Sequence, residues 1–151
     1  MSDPVFESRT PRLDLPYLFA GQTQKELFVN ESLARLDGLL YCAVEGVANS
    51  PPVGPVDGEC WLVGTSPTGP WDGKAGSLAF FQAGNWLFQQ PRDGLRVLDR
   101  TTGQDRRFHN GWQAANRPPV PSGGTTIDIE ARASITALFD SLATAGILTH
   151  I

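Results

Sequence analysis

Residues 77–88 read SLAFFQAGNWLF, two short apolar runs joined by Ala83-Gly84-Asn85. Turn residues between aromatic and aliphatic runs are typical of a hairpin. Similar runs occur at 60–63, 96–98, 107–108 and 111–113. Together they predict five or six short strands in a small antiparallel β meander or barrel. Because no helical pattern lies between the runs, we expect no parallel pairing, which requires a long crossover.

An amphipathic helix is predicted before this β region. Apolar residues step by four and three from Val29 to Val47, which is the spacing of a coiled-coil seam. We therefore predict a long N-terminal helix over Thr23–Gly46. Thr23 and Glu26 have the spacing of a capping box, in which each side chain bonds a free backbone amide. Asn30 would also suit the start of a later helix, so the first helical residue stays open.

A second helix is predicted near the C-terminal end of the sequence. Apolar residues again step by four and three, from Ala131 to Ala145. Gly146 suits the left-handed position that follows the last helical residue. Leu142 and Ile147 then have the positions of the hydrophobic contact in a Schellman motif.

The sequence therefore predicts an α+β fold in four segments. We expect an extended arm at 1–22, a helix plus antiparallel β module at 23–113, a linker at 114–126 and a C-terminal helix at 127–151. The linker reads AANRPPVPSGGTT, and its prolines and glycines are typical of a connection without a core of its own. The whole chain of 151 residues has the length of one ordinary domain.

Composition argues against several classes of protein. Sixteen acidic and twelve basic residues give a net charge of −4, so no cationic field favours nucleic acid as the partner. No run of about 18 apolar residues occurs, and we expect no membrane insertion. The first residues lack the basic start and apolar stretch of a secretion signal, which predicts synthesis in the cytoplasm.

Cysteine and histidine are scarce in this sequence. Cys42 and Cys60 are expected to be buried free thiols, with a disulfide as the less favoured alternative, because no export signal is evident. His109 and His150 have no neighbouring ligands at metal-binding spacing. We therefore expect no metal site and no cofactor.

The apolar faces of both predicted helices need a partner, because a short free helix is marginal in water. Two arrangements would provide one: packing on the β module of the same chain, or docking against further copies in a symmetric oligomer. We favour the oligomer. Its expected interface residues are Leu33, Leu36, Leu40, Ile135, Leu138 and Leu142. Polar residues beside the first seam, among them Asn30 and Asp37, are expected to fix register or partner choice.

Four tryptophans lie within the predicted β module. Flat aromatic rings beside short polar side chains suit sugars, because the apolar face of a pyranose stacks on the ring. Trp71 and Asp72 lie among turn residues, where a core residue is unusual, and with Trp86 and Trp61 they form the candidate glycan site. The alternative is that the indoles fill the core over hairpin glycines, and we favour it for Trp61, Trp86 and Trp112.

Five of the ten arginines lie within residues 92–107, with three aspartates among them. They are Arg92, Arg96, Arg100, Arg106 and Arg107. This mixture favours a solvated strand edge with cross-strand ion pairs over a groove for a polyanion. Anionic glycans remain an alternative ligand, because arginine binds carboxylates through two N–H groups.

Catalytic motifs do not occur in this sequence. It contains no nucleophile elbow, no phosphate-binding glycine loop and no Cys–His nucleophile. Asp57 with Glu59, or Asp72 with Asp93, would be the acid pairs for glycoside hydrolysis. Such acids are common in the loops of β proteins, and we expect no enzymatic activity.

Several motifs form a distinctive combination over about residues 9–113. They are RLDLPY at 12–17, QxxKE at 22–26, NExLxxLD at 30–37, PP at 51–52, DGExWLVG at 57–64, TGxWxG at 68–73 and GxW at 84–86. The combination resembles an uncharacterised domain family of phage tail-fibre-like and gene-transfer-agent proteins. This chain differs in having Phe28-Val29 where the family often has a polar pair with histidine. The family has no assigned chemistry, so the resemblance implies a virion component without catalytic residues.

These expectations combine into one functional hypothesis. The protein would be a non-enzymatic structural component of a phage or gene transfer agent particle, in a tail fibre or related adhesive appendage. It would assemble with itself and with other virion proteins. The first expectation for the homo-oligomer is a trimer, because the proteins it resembles typically have fibres with threefold symmetry. A module that binds a host surface glycan is the alternative, and a hydrolase of surface polysaccharide comes third.

Overall fold

The computed structural model describes residues 9–18, which we call the arm, and residues 25–150. Within these residues it contains two α-helices and eight strands, so the predicted α+β fold class is confirmed. The helices are α1 (Lys25–Leu39) and α2 (Ile129–Thr144). The strands are β1 (Ala43–Val44), β2 (Val47–Ala48), β3 (Cys60–Val63), β4 (Leu78–Gln82), β5 (Asn85–Gln89), β6 (Arg96–Asp99), β7 (Gln104–Phe108) and β8 (Trp112–Gln113).

The strands form two four-stranded sheets, which do not close into a barrel. Sheet 1 has the order β1-β6-β7-β8, and sheet 2 has the order β2-β3-β4-β5. The pairs β3–β4, β4–β5, β6–β7 and β7–β8 are antiparallel, as predicted. However, β1 pairs with β6 and β2 pairs with β3 in parallel. The expectation of no parallel pairing is therefore wrong, and both sheets are mixed.

The parallel pairs arise because α1 is shorter than predicted. It ends at Leu39, and Tyr41 has a positive φ of 50°, the left-handed conformation that often follows a helix. The last two residues of the predicted seam, Ala43 and Val47, belong instead to strands β1 and β2, each of which is two residues long. The proposed start at Thr23 lies outside the described residues. The alternative start at Asn30 is wrong, because the helix already includes residues 25–30.

The main hydrophobic core contains side chains of both sheets. Val44 and Val97 come from sheet 1, and Leu62, Leu78 and Phe80 come from sheet 2. None of these five residues is more than 3% exposed. Strand residues alternate between the two faces of a sheet, and the neighbouring positions of β3 and β4 therefore point to the outer face of sheet 2.

Helix α1 packs on the protein mainly through small and polar residues, together with Leu39 at its end, which packs against the main core. Its buried residues are Asn30, Ala34, Asp37 and Gly38. A Cβ at Gly38 would lie 2.5 Å from Cδ1 of the Phe80 ring, so the absence of a side chain allows this close approach. The face that was expected to seek a partner is consequently the outer face of α1.

The polar residues of this buried face bind the arm. Asp37 accepts hydrogen bonds from the Thr10 hydroxyl and the Leu13 amide, both at 2.7 Å. Asn30 accepts a hydrogen bond from the Leu18 amide at 2.8 Å and donates one to the Leu18 carbonyl at 3.0 Å. The expected role of Asn30 and Asp37 in choosing an oligomer partner is therefore wrong, because their side chains are used within the protomer.

Arg12 of the arm caps the C-terminal end of α1. Its guanidinium donates hydrogen bonds to the carbonyls of Asp37 at 2.9 Å, Gly38 at 2.8 Å, Leu40 at 3.2 Å and Tyr41 at 2.8 Å. The last carbonyls of a helix have no partner within it. A cation at this end also interacts favourably with the helix dipole. The arm therefore fixes both the position of α1 and the residue at which it ends.

Both ends of helix α2 are capped, and the C-terminal cap is of the predicted kind. The Asp128 carboxylate accepts a hydrogen bond from the Ala131 amide at 2.8 Å. Gly146 has a φ of 72°, and the Ile147 amide donates to the Leu142 carbonyl at 2.9 Å. These features confirm the predicted Schellman motif. Neither helix in the described residues has the length and apolar character needed to cross a membrane.

Candidate functional site

The predicted interface residues of α1 lie on its solvent side. Leu36 is 48% exposed, Leu33 is half-buried, and Leu40, which directly follows the helix, is 42% exposed. A shallow groove follows this side of the helix, and we call it the α1 groove. It is lined by Phe28, Val29, Ser32, Leu33 and Leu36. None of the five lining residues has an ionisable side chain, so this surface is apolar and uncharged.

The predicted interface residues of α2 divide between solvent and protomer. Leu138 is 55% exposed, and Ile135 and Leu142 are half-buried. The C-terminal end of the helix is attached to the protein, because Ala143 and Leu148 are buried at 2% and 4% exposure. The C-terminal end of α2 therefore packs on its own chain, whereas Leu138 remains uncovered.

Trp71 is not available to a ligand, because it is fully buried. It belongs to a 3-10 turn at Gly69–Trp71 that covers the outer face of sheet 2, and it packs there on Val63 and Ala79. Its ring lies 5.0 Å from that of Trp86, edge to face. Asp72, the next residue, is exposed. Trp71 therefore has the core-filling role, although its position among turn residues suggested a surface role.

Trp61 and Trp86 lie on the outer face of sheet 2 and are half-buried. In the strand register Trp61 lies opposite Ala79, which lies opposite Phe88, and Phe81 lies opposite Trp86. Residues in such positions share one face of a sheet. We call Trp61, Phe81, Trp86 and Phe88 the aromatic face.

Polar groups contact two members of the aromatic face. The Trp61 indole donates a hydrogen bond to Glu59 at 3.0 Å, and the Lys74 ammonium lies 5.5 Å from the Phe88 ring centre. The aromatic face thus has charged groups of both signs beside it.

Two of the five arginines within residues 92–107, which we call the arginine cluster, form ion pairs. Arg106 donates to the Asp99 carboxylate at 2.7 Å, and Arg100 pairs with Glu45 at 2.6 Å. Asp99 is fully buried and also accepts hydrogen bonds from the amide and hydroxyl of Thr101. Burial opposes ionisation of Asp99, but the hydrogen bonds from Thr101 and Arg106 outweigh it and lower its pKa.

The carboxylates considered for hydrolysis hold turns together. Asp57 accepts a hydrogen bond from the Ala83 amide at 3.1 Å. Asp93 accepts one from the Asn110 amide at 3.1 Å, and its second oxygen lies 3.1 Å from His109 Nδ1. Glu59 holds the Trp61 indole. Each of these three carboxylates therefore has a local structural contact.

The two cysteines are free and buried, as predicted. The Sγ atoms of Cys42 and Cys60 are 3.7 Å apart within the main core. Burial raises the pKa of the Cys60 thiol well above its ordinary value, and such a thiol is a poor nucleophile. Among the described residues, no three histidine, cysteine or acidic side chains are grouped so that they could hold a metal ion.

Sequence comparison gives the chain a family. A search of curated proteins finds no match. A family profile described as "Protein of unknown function (DUF2793)" matches residues 29–113, a segment that includes most of α1 and all eight strands. Because this match covers more than half of the chain, the protein belongs to the uncharacterised family DUF2793.

Proposed function

We propose that this protein is a non-enzymatic structural component of a phage or gene transfer agent particle, in a tail fibre or related adhesive appendage. It is made in the cytoplasm and assembles into the particle as a homo-oligomer, with a trimer as the expected form. The motif resemblance supports the biological setting. The observation that carries the proposed assembly is the exposure of Val29 and Leu36 on α1 and of Leu40 directly after it.

The α1 groove suits a second copy of this chain. Val29, Leu33, Leu36 and Leu40 step by four and three, so equivalent helices related by symmetry would interdigitate as in a coiled coil. Identical copies bring identical residues together around a symmetry axis, and like charges would then repel. The lining of the α1 groove contains no ionisable side chain, so this repulsion is absent.

Helix α2 provides a second surface for the same assembly. Leu138 of its predicted seam is uncovered, at 55% exposure. The linker between sheet 1 and α2 is exposed along most of its length. Exposed apolar side chains that lie together are candidates for contact surfaces, and an oligomer would bury Leu138 as well as the α1 groove.

Light scattering of the purified chain, coupled to size exclusion, tests this proposal. The expected mass is a multiple of the 16.3 kDa chain mass, and three times that value for the trimer. Leu36→Asp combined with Leu138→Asp should give a monomer with unchanged circular dichroism, because an aspartate in each interface is costly to bury. Val53→Asp is the matched control, since Val53 is fully exposed outside both helices, and it should keep the oligomer.

A monomeric wild-type chain at the highest soluble concentration would overturn the proposed self-assembly. The same conclusion follows if the double variant and the control have the same mass. The particle setting has its own test, which is detection of the chain in purified particles by mass spectrometry. Its absence from every particle fraction of the producing cell would refute that setting.

The aromatic face favours one alternative, a module that binds a glycan on the host surface. Trp61 and Trp86 remain partly exposed on one face of sheet 2, and flat rings of this kind stack against sugars. In a glycan array, a signal that Trp86→Ala abolishes and Phe28→Ala preserves would support this function. Because Phe28 belongs to the α1 groove, the pair of variants separates glycan binding from assembly.

A further inference from the structure

The strand register of sheet 1 places two arginines side by side. Arg96 of β6 lies directly opposite Arg107 of β7, and Arg107 lies directly opposite Gln113 of β8. The three side chains therefore form a row on one face of the sheet. Val97, next to Arg96, belongs to the main core, so the row lies on the outer face of sheet 1. All three side chains are exposed.

These two arginines, unlike Arg100 and Arg106, have no carboxylate partner. Arg106 and Arg100 form ion pairs with Asp99 and Glu45. In the part of the chain that the structure describes, neither Arg96 nor Arg107 forms a hydrogen bond or an ion pair through its side chain. Like charges directly opposite each other destabilise a sheet, so folding alone gives no reason for this pair.

A preformed groove of about 460 Å³ surrounds the row. One wall is the chain after β8, Ala114 and Ala115, and the other includes Ile147 after α2. Gln104 fixes both walls, because its amide donates to the carbonyls of Ala115 at 2.5 Å and Ile147 at 2.7 Å. Gln104 itself is 3% exposed. The groove is therefore a built feature of three separate segments.

The groove also contains one acidic residue, Asp105. In the register it lies opposite Leu98, on the same face as the arginine row. Its carboxylate makes no ion pair with either arginine. The two guanidinium groups and this carboxylate leave a net charge of about +1, which matches a monoanion. The side-chain nitrogen of Gln113 donates to the His109 carbonyl at 3.2 Å, so its amide oxygen is the group that can accept from a sugar hydroxyl. The alanine and isoleucine walls suit an apolar ring face.

We propose that this groove binds a sugar acid, that is, a uronic or sialic acid residue of a surface polysaccharide. Its carboxylate lies between the guanidinium groups of Arg96 and Arg107, which offer paired N–H donors of the right geometry. The volume is within the usual range for small-ligand sites, roughly 300–1,000 Å³, and accommodates one or two sugar rings. This site is independent of the helix faces that the proposed assembly uses.

Isothermal titration calorimetry of the full chain with a galacturonic acid trisaccharide tests this assignment. The neutral galactose trisaccharide and inorganic phosphate serve as comparison ligands. We expect the acidic trisaccharide to bind best, with an affinity that falls as salt is raised. Arg96→Gln and Arg107→Gln should each weaken binding by about tenfold or more, the loss of one charge-assisted hydrogen bond. Asp105→Asn should strengthen binding, because it removes a repelling carboxylate.

Arg92→Gln is the matched control, since Arg92 is an exposed residue of the same cluster outside the groove. It should leave the affinity unchanged. The proposal is overturned if the neutral trisaccharide binds as well as the acidic one, or if both arginine variants bind like the control. Binding of phosphate as tight as that of the acidic trisaccharide would refute the sugar-acid assignment. The arginine variants should keep or raise their melting temperature, because neither arginine supports the fold through a partner and each variant removes the repulsion between the two charges.

Discussion

Replacing Asp37 by asparagine tests the most consequential packing contact of the fold. The Asp37 side chain is 1% exposed. One of its oxygens accepts from the Thr10 hydroxyl and the Leu13 amide, and the other accepts from the Arg12 amide at 3.2 Å. Asparagine keeps the first oxygen but places an N–H₂ group against the Arg12 amide, so two donors face each other.

The cost of this change follows from the bonds that are lost. One charge-assisted hydrogen bond is worth about 1.5–3 kcal/mol, and the other two lose their charge assistance, which roughly halves their strength. We therefore expect Asp37→Asn to lower the free energy of unfolding by about 2–4 kcal/mol, a large part of the 5–15 kcal/mol typical of a domain. Urea unfolding followed by tryptophan fluorescence measures this difference.

Asp14→Asn is the matched control, because it removes the same charge at an exposed position of the arm. Asp14 pairs with Arg9 at 2.9 Å, but its side chain is 76% exposed, and such pairs are worth about 0–1 kcal/mol. Combining Asp37→Asn with Thr10→Ala should give less than the sum of the single effects, since the two residues share a bond. Equal effects of Asp37→Asn and Asp14→Asn would refute the buried role of Asp37.

Three further perturbations have defined outcomes. Gly38→Ala should lower the free energy of unfolding by about 1–3 kcal/mol, because the added methyl group is overpacked against Phe80. The effect should disappear in a Phe80→Leu background. An equal loss of stability in both backgrounds would disprove the close contact. Asp99→Asn should lower the free energy of unfolding most near neutral pH, because the ionised Asp99 carboxylate stabilises the folded state. Its pKa in the folded state is lowered, so this stabilisation is complete above the ordinary value of 3.8 and declines as the pH falls below it. A difference in unfolding free energy that does not change with pH would contradict this. In a Tyr41→Phe variant, the phenolate absorbance should report the titration of Tyr17 alone. Its midpoint should be about 12 rather than 10.0, because burial and the Asp37 and Asp57 carboxylates raise the pKa of Tyr17. A midpoint at the ordinary value would show that the Tyr17 phenol is accessible.

The antiparallel part of the fold could be predicted from sequence because its signals are local. The run at 77–88 contains both strands of a hairpin and the turn between them. The structure confirms the hairpin, although its turn is only Ala83-Gly84, because Asn85 already pairs with Gln82. The Schellman motif at Gly146 is equally local. Both predictions depend only on residues that are near each other in the chain.

The parallel pairs and the orientation of α1 could not be predicted in this way. Strands β1 and β2 have two residues each, too few for a periodic pattern, and their partners lie far along the chain. The buried side of α1 depends on the arm, whose Arg12 and Thr10 supply the donors. The opposition of Arg96 and Arg107 likewise depends on strand register, which the sequence leaves open.

The inverted packing of α1 connects the fold with the proposed assembly. In most surface helices the apolar stripe faces the core and the polar side faces water. Here hydrogen bonds from the arm hold Asn30 and Asp37 inward, and Val29, Leu36 and Leu40 lie on the exposed side. Leaving this side in water forfeits about 25 cal/mol for each Å² of apolar surface that could be buried. A monomer does not recover that free energy, whereas the proposed oligomer through the α1 groove would. The arm therefore has two effects in one set of contacts: it stabilises the protomer, and it leaves the α1 groove on the exposed side, where the proposed oligomer would use it.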